Sequence, residues 1–532
     1  MKLIKKALLL IFALALMTPA QSQFQNKDDI RKLLSALKII NYAYVDSVDN
    51  SRLTEEAIKS ILKELDPHSN YFTKEEIDKA NEPLEGNFEG VGIQFQIYRD
   101  TILVVAPIPG GPSDDVGIRA GDKIVKINGK NATGKEINNK YVRDHLRGKK
   151  GTKVDVSIKR NGRKKLIDFT ITRDEIPLHS VDASYMLSER IGTIKVSRFS
   201  KTTLDEFKEA IKKLRDKGME ELILDLRGNP GGYLQTARDL ADQFLDEQKL
   251  IVFTEGRKAP RRELKATSQG TFENGKLVVL INEGSASASE IVSGAVQDWD
   301  RGLVVGRRSF GKGLVQRPFT LPDSSVIRLT TARYHTPSGR CIQRPYEEGE
   351  KEEYYKDIRE RMEHGEFVHA DSITFPDSLK YNTKNGRTVY GGGGIMPDIF
   401  VPWDSTQYSD YYTNIVKNRV PNSYVLKYLE GEREALKDNY KNVKEFKSRY
   451  TLDENFMNGF TEYAKTEGVE FDEEGYQQSK KQIRYMLKAL IARNLFDISA
   501  YYEVISMIDQ TIQKSVELLK DDTAFAEKDI EW

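Results

Sequence analysis

Three short segments carry residues whose types and spacing could do chemistry. The first is Gly284-Ser285-Ala286-Ser287-Ala288-Ser289-Glu290, between a buried-type apolar run and a helix-like stretch. Small residues there leave a serine hydroxyl reachable at a helix N-terminus. The first-turn amides have no intrahelical partner and could receive an oxyanion. A second account needs no chemistry, because Ser287 and Glu290 also fit the S-x-x-E capping box. The second segment is Gly228-Asn229-Pro230-Gly231-Gly232, whose glycines let backbone amides approach a ligand closely. Standing alone it reads as an ordinary strand-to-helix turn. The third, Gly306-Arg307-Arg308-Ser309-Phe310-Gly311-Lys312-Gly313, nearly matches the phosphate-binding pattern G-x-x-x-x-G-K-[ST]. Its last position is glycine, so the Mg²⁺-ligating hydroxyl is missing. Leu314 to Phe319 then reads as a Pro-containing strand where that loop needs a helix. The nucleotide reading fails on both counts.

Lys312 then fits a different role. A lysine flanked by glycines beside apolar strands can be desolvated, which disfavours its charged form. A neutral amine can take the proton of a serine hydroxyl, and a Ser–Lys pair needs no histidine. Gln316 lies four residues on, and i and i+4 share a face in a strand, so its amide could orient the amine. The bland account of Lys312 is a surface lysine. The six histidines (His68, His145, His179, His335, His364, His369) match no H-E-x-x-H spacing. His335 is the alternative base. Asp298 is an alternative partner that otherwise simply ends a helix.

These residues need elements to hold them. From about 178 to 404 strands alternate with helices: Ile191 to Val196, Leu204 to Leu214, Leu222 to Leu226, Leu234 to Phe244, Leu277 to Ile281, Glu290 to Trp299. That order argues an α/β layered core. Residues 25–84 have helical periodicity, with Thr54 as a helix cap, closing on Leu65-Asp66-Pro67-His68-Ser69-Asn70-Tyr71-Phe72. In that turn His68 reads as a turn residue rather than a ligand. From Glu85 to Pro177 short alternating runs and the Asn128-Gly129 turn read as a small β barrel of about ninety residues, with one helix at Asn138 to Leu146. Residues 346–365 are densely charged and read as a solvated insertion, and Gly391 to Gly394 as a flexible hairpin. Residues 405–532 are polar and helical. Ile483, Met486, Leu487, Leu490 and Ile491 there form one apolar stripe.

Length and composition agree. At roughly 100–200 residues per domain, 532 residues make three or four domains. Apolar residues at 39% exclude wholesale disorder. Charge is balanced, 82 Lys+Arg against 81 Asp+Glu, which leaves no electrostatic footprint for nucleic acid. One cysteine, Cys341, excludes an internal disulfide and a thiolate metal cluster. Lys2, Lys5 and Lys6 precede the apolar run Ala7 to Met17 and then small residues, which reads as a secretory leader over 1–22. Eleven residues rise only about 16 Å as a helix, too short for a core of roughly 30 Å. The expectation is an exported chain, periplasmic or in the cell envelope, membrane-associated if the leader is retained.

Taken together, the chain resembles the C-terminal processing, or tail-specific, proteases. The likeness lies in GSASASE followed by FGKGLVQ, and in LDPHSNYF at 65–72, EGVGIQF at 89–95, AGDKIVKINGK at 120–130, DLRGNPGG at 225–232, TPSGRCIQ at 336–343 and GIMPDI at 394–399. The resemblance implies a crotonase-like α/β protease core at 177–404 with an inserted PDZ β-barrel at 85–176. A helical segment at 23–84 and a helical extension at 405–532 would flank them. It implies Ser287 as nucleophile, Lys312 as general base and Gln316 as the residue that positions the lysine. Ala288 with Gly231 or Gly232 would form the oxyanion hole. Val91, Gly92 and Ile93 would hold the carboxylate of a protein or peptide tail, with Arg147 assisting that site or coupling it to the core. No metal, cofactor, nucleotide or nucleic acid is implied. The terminal helices suggest a homo-oligomer or an adaptor contact, and the family pattern does not account for 405–532 or 346–365. The competing expectation is an exported PDZ scaffold with an inactive core.

Overall fold

The computed structural model describes residues 18–530 and 532, with side chains from Lys27 onward. The expected leader lies mostly outside the described residues. No helix among the described residues is long and apolar enough to cross a membrane.

The central sheet is built from the apolar runs read in the sequence. Strands Ile191–Val196, Glu221–Asp225, Leu277–Ile281, Leu303–Gly306 and Ile399–Phe400 are parallel neighbours in that order, and Val181–Met186 closes one edge antiparallel. Both faces are buried, which suits continuous rather than alternating apolar runs. Leu222, Leu224, Val279, Ile281 and Val304 pack against helices Thr203–Arg215, Leu234–Ala241 and Ala288–Asp298. Ile223, Val278, Leu280, Leu303 and Val305 face the other way, against Ile512, Leu518, Leu519 and Phe525. The last helices of the extension therefore cover the back of the central sheet. GNPGG, GSASASE and the Gly306–Gly313 segment each follow the carboxyl end of one of three adjacent strands. In open α/β sheets that edge is where ligands bind.

A second, antiparallel sheet stands beside it. Val326–His335 pairs with Asn70–Phe72, Leu250–Gly256 and Leu314–Thr320. The LDPHSNYF turn thus runs into a strand that joins the second sheet.

Several expectations are corrected. The 85–176 region is an open sheet, with Ile93–Tyr98 at one edge and Ile167–Thr172 at the other, and these edges do not pair with each other. Alternating runs are compatible with a barrel or an open sheet, and only the pairing decides. Asn128 and Gly129 do form the expected turn, both with positive φ. The second helix begins at Asn50, capped by Asp49, while Thr54 lies inside it and donates to the Asn50 carbonyl. The charged 346–365 insertion contains helix Lys351–Glu363, and its Tyr354 and Arg361 are buried. Arg361 donates to the carbonyls of Ser309 and Arg308, so charge density did not mean solvation. The four-glycine run packs behind the Gly306–Gly313 turn, its amides donating to Leu379, Cys341 and Ile342.

One side chain ties the Ser287 and Gly306–Gly313 turns together. Glu290 is fully buried. Its carboxylate accepts from Ser287 N at 2.7 Å, Gly311 N at 2.7 Å, Lys312 N at 2.9 Å and Ser309 Oγ at 2.6 Å. Burial pushes its carboxyl up to about 7, against the pull of these donors. Each buried donor left without an acceptor costs about 1–3 kcal/mol. Glu290→Ala should therefore lower the stability of the core by about 3 kcal/mol or more, read as a lower urea midpoint by tryptophan fluorescence. An unchanged midpoint would contradict this role.

Candidate active site

Within Ser285–Asp298, Ser287 alone is not fully buried. It precedes helix Ala288–Asp298 with φ +55° and ψ −111°. A non-glycine residue held there stores strain, which persists only when its surroundings fix it. The surroundings do so. Its amide is held by Glu290, its carbonyl accepts from the Glu290 amide at 2.9 Å, and Tyr334 Oη donates to the same carbonyl at 3.2 Å. The Glu290 half of the capping box read in the sequence is present, its carboxylate accepting from the Ser287 amide, while the Glu290 amide donates to the Ser287 carbonyl. Cap and chemistry are thus compatible.

Gly231 explains itself by proximity. A Cβ there would stand 2.8 Å from Ser287 Cβ and 3.0 Å from Ala288 N, and at Gly232 it would stand 2.1 Å from the Phe199 carbonyl oxygen. Only glycine lets this turn lie against Ser287. The Gly231 amide donates to Asn229 Oδ1 at 2.9 Å. Among the described residues, the amides of Gly232 and Ala288 have no such partner.

Lys312 sits on the adjacent turn. Its amide goes to Glu290 and its carbonyl accepts from Tyr334 Oη, the hydroxyl that also reaches Ser287. Tyr334 and Glu290 therefore bridge two segments that lie well apart in sequence. Burial, with a smaller push from the Arg328 guanidinium, lowers the Lys312 amine to about 8, while Glu290 and Asp66 pull the other way. A lysine in this state can act as a base near neutral pH.

Gln316 is placed differently from expectation. The strand begins only at Leu314, so Lys312 lies in the turn before it and the i, i+4 alternation from Lys312 does not apply. Its amide donates to the Leu314 carbonyl at 3.1 Å and to Thr330 Oγ1 at 3.3 Å. Thr330 donates in turn to Asp66 Oδ1 at 2.9 Å, and Ser69 Oγ also donates to Asp66. The LDPHSNYF turn thus supports Gln316 from behind. His68 is a buried turn residue facing Tyr354 Oη at 3.1 Å, and burial together with Lys312 lowers it to about 3.

The alternative residues are engaged elsewhere. His335 stacks on Phe253 at 4.7 Å and contacts the Gly339 carbonyl at 3.0 Å. Asp298 holds the buried Arg340 at 2.7 Å. No cluster that could hold a metal ion occurs among the described residues.

Sequence reasoning missed Tyr334, Thr330 and Asp66, and read Glu290 only as a cap. The signal for Glu290 was present in S-x-x-E. Nothing in sequence spacing joins Thr330 to Asp66.

A second site lies on the open sheet. Val91, Gly92 and Ile93 line one end of a groove of about 390 Å³ between strand Ile93–Tyr98 and helix Asn139–Leu146. Arg147 stands on its rim, over the Phe88 ring at 4.4 Å and paired with Glu82.

Comparison with known proteins agrees with this layout. The peptidase family S41 model matches residues 190–349 and a PDZ domain model matches 90–171. The model of the activating protease CtpB N-terminal domain matches 13–76, and a family of unknown function matches 411–497. A probable CtpA-like serine protease of Staphylococcus aureus (strain N315) is 37% identical over 324 residues, covering 60% of this chain. The chain spans 64% of that relative's length. The carboxy-terminal processing protease CtpB of Bacillus subtilis (strain 168) is 36% identical over 330 residues, 61% of this chain and 68% of that protein. Among solved structures, a photosystem II D1 C-terminal processing protease is 28% identical, covering 58% of this chain and 88% of its own, with a TM-score of 0.33. With a PDZ sheet set before an S41 core, and this likeness across both, the chain belongs to the carboxy-terminal processing proteases of peptidase family S41.

Proposed function

We propose that the protein is an exported serine endopeptidase that holds protein tails on its PDZ sheet and hydrolyses peptide bonds with Ser287 and Lys312. One observation carries this reading: the strained, accessible Ser287 is stitched through Glu290 and Tyr334 to a lysine whose amine is lowered to about 8. Export is supported by the basic and apolar start of the chain, and fits a periplasmic or cell-envelope location.

In this mechanism a tail's free carboxylate meets the amides of Val91, Gly92 and Ile93, and the tail adds as a strand to the open edge of Ile93–Tyr98. Lys312 takes the proton of Ser287 as the hydroxyl oxygen attacks the peptide carbonyl. The oxyanion rests on the amides of Ala288 and Gly232, with Gly231 supplying the close approach. Lys312 returns its proton to the leaving amine, and the acyl-enzyme forms. Water, deprotonated by the same amine, then releases the acid. Gln316, fixed through Thr330 and Asp66, keeps the strand that follows Lys312 in place.

Ser287→Ala and Lys312→Ala should each abolish cleavage of an unstructured polypeptide ending in apolar residues, followed by mass spectrometry. Retained cleavage in Ser287→Ala would sink the assignment. Inert parent protein that still bound the tail would instead favour a scaffold. Because the amine must be neutral to act, kcat/KM should rise with pH through about 8 and level off above it. A profile flat from pH 6 to 9, or one falling over that range, would remove Lys312 as the base.

A further inference from the structure

The helical region after the core does more than cover the sheet. Its helix Val420–Asn439 docks on the PDZ sheet through Lys123 to Glu430 at 2.9 Å, and through Leu426 packed with Tyr98 and Leu103. This contact leaves a cleft of about 300 Å³ beside strand Ile93–Tyr98, between Gln94 and Gln96 on one side and Arg419, Asn422 and Arg493 on the other. The cleft shares Gln94 and Phe95 with the tail groove, so the two adjoin the same strand.

Its electrostatics are one-sided. The lining holds two arginines and three side-chain amides, but no carboxylate. Arg493 donates to Asn422 Oδ1 at 3.1 Å, its Nε is buried without a partner, and burial lowers its affinity for its proton. Arg419 is exposed. Neither arginine pairs with an acid among the described residues. A desolvated guanidinium without a counter-charge is costly, and a carboxylate offered in the right place is strongly preferred.

A tail lying along the open edge would bring one there. Side chains alternate along an added strand. The last and third-last residues of the tail turn toward helix Asn139–Leu146. The penultimate and fourth-from-last turn to the side that carries Gln94 and Gln96. We infer that Arg419 and Arg493 form a basic wall of the tail groove and select substrate tails with carboxylate side chains at the penultimate or fourth-from-last position. This rests on the tail-binding reading above.

The test is fluorescence anisotropy with full-length Ser287→Ala protein and two labelled peptides. Both end in the same apolar residue, one carrying Glu and the other Lys at those two positions. The Glu peptide should bind about tenfold tighter at low salt, and the advantage should shrink severalfold in Arg419→Ala and in Arg493→Gln. Arg419 is exposed, so its variant keeps the test decisive if Arg493→Gln misfolds. Equal affinities in the parent, or an advantage unchanged by Arg419→Ala, would overturn the basic wall while leaving tail binding intact. Binding of neither peptide would overturn tail binding itself, and the wall with it.

Discussion

A buried carboxylate accepting four hydrogen bonds fixes how the rest of this chain can be arranged. Removing Glu290 from water costs several kcal/mol unless its oxygens are well paired. The pairing comes from Ser287 on one turn and from Ser309, Gly311 and Lys312 on another. Neither turn can move without leaving the carboxylate short of a donor. The strained backbone of Ser287 persists because of this over-determination. Tyr334 reinforces it from the neighbouring sheet by reaching the carbonyls of both segments.

The surrounding elements act on this centre in layers. The turn at 65–72 delivers Asp66 to Thr330, and Thr330 to Gln316, so a segment near the start of the chain steadies the strand that follows Lys312. The charged helix Lys351–Glu363 presses Arg361 onto the loop that carries Ser309. Such contacts are local in space and distant in sequence. The lysine they surround is itself buried, and burial lowers its affinity for a proton.

Much of this was legible in the sequence because it is written in short, local signals. Ile191–Val196 and Leu277–Ile281 appear where their apolar runs lie. Ser287, Lys312 and Gly231 stood out because small residues and glycines cluster where backbone must come close. What was hidden depends on pairing across long separations. The open sheet looked like a barrel because alternation reports a buried face and says nothing of closure. The alternation from Lys312 to Gln316 failed because Lys312 stands in the turn before a strand that begins only at Leu314. The charged insertion looked solvated because two buried side chains, Tyr354 and Arg361, are outvoted by their neighbours in any composition count.

The covering of the central sheet by Ile512, Leu518, Leu519 and Phe525 has a consequence for the order of folding. The strand residues they cover, such as Ile223 and Val278, lie hundreds of positions earlier. Until those late residues have been synthesised, one side of the sheet is an uncovered apolar surface. Contacts of such long sequence separation form slowly, and incomplete intermediates that expose apolar area tend to aggregate. The last layer of the core therefore closes only when residues from the far end of this sequence dock on strands near its middle.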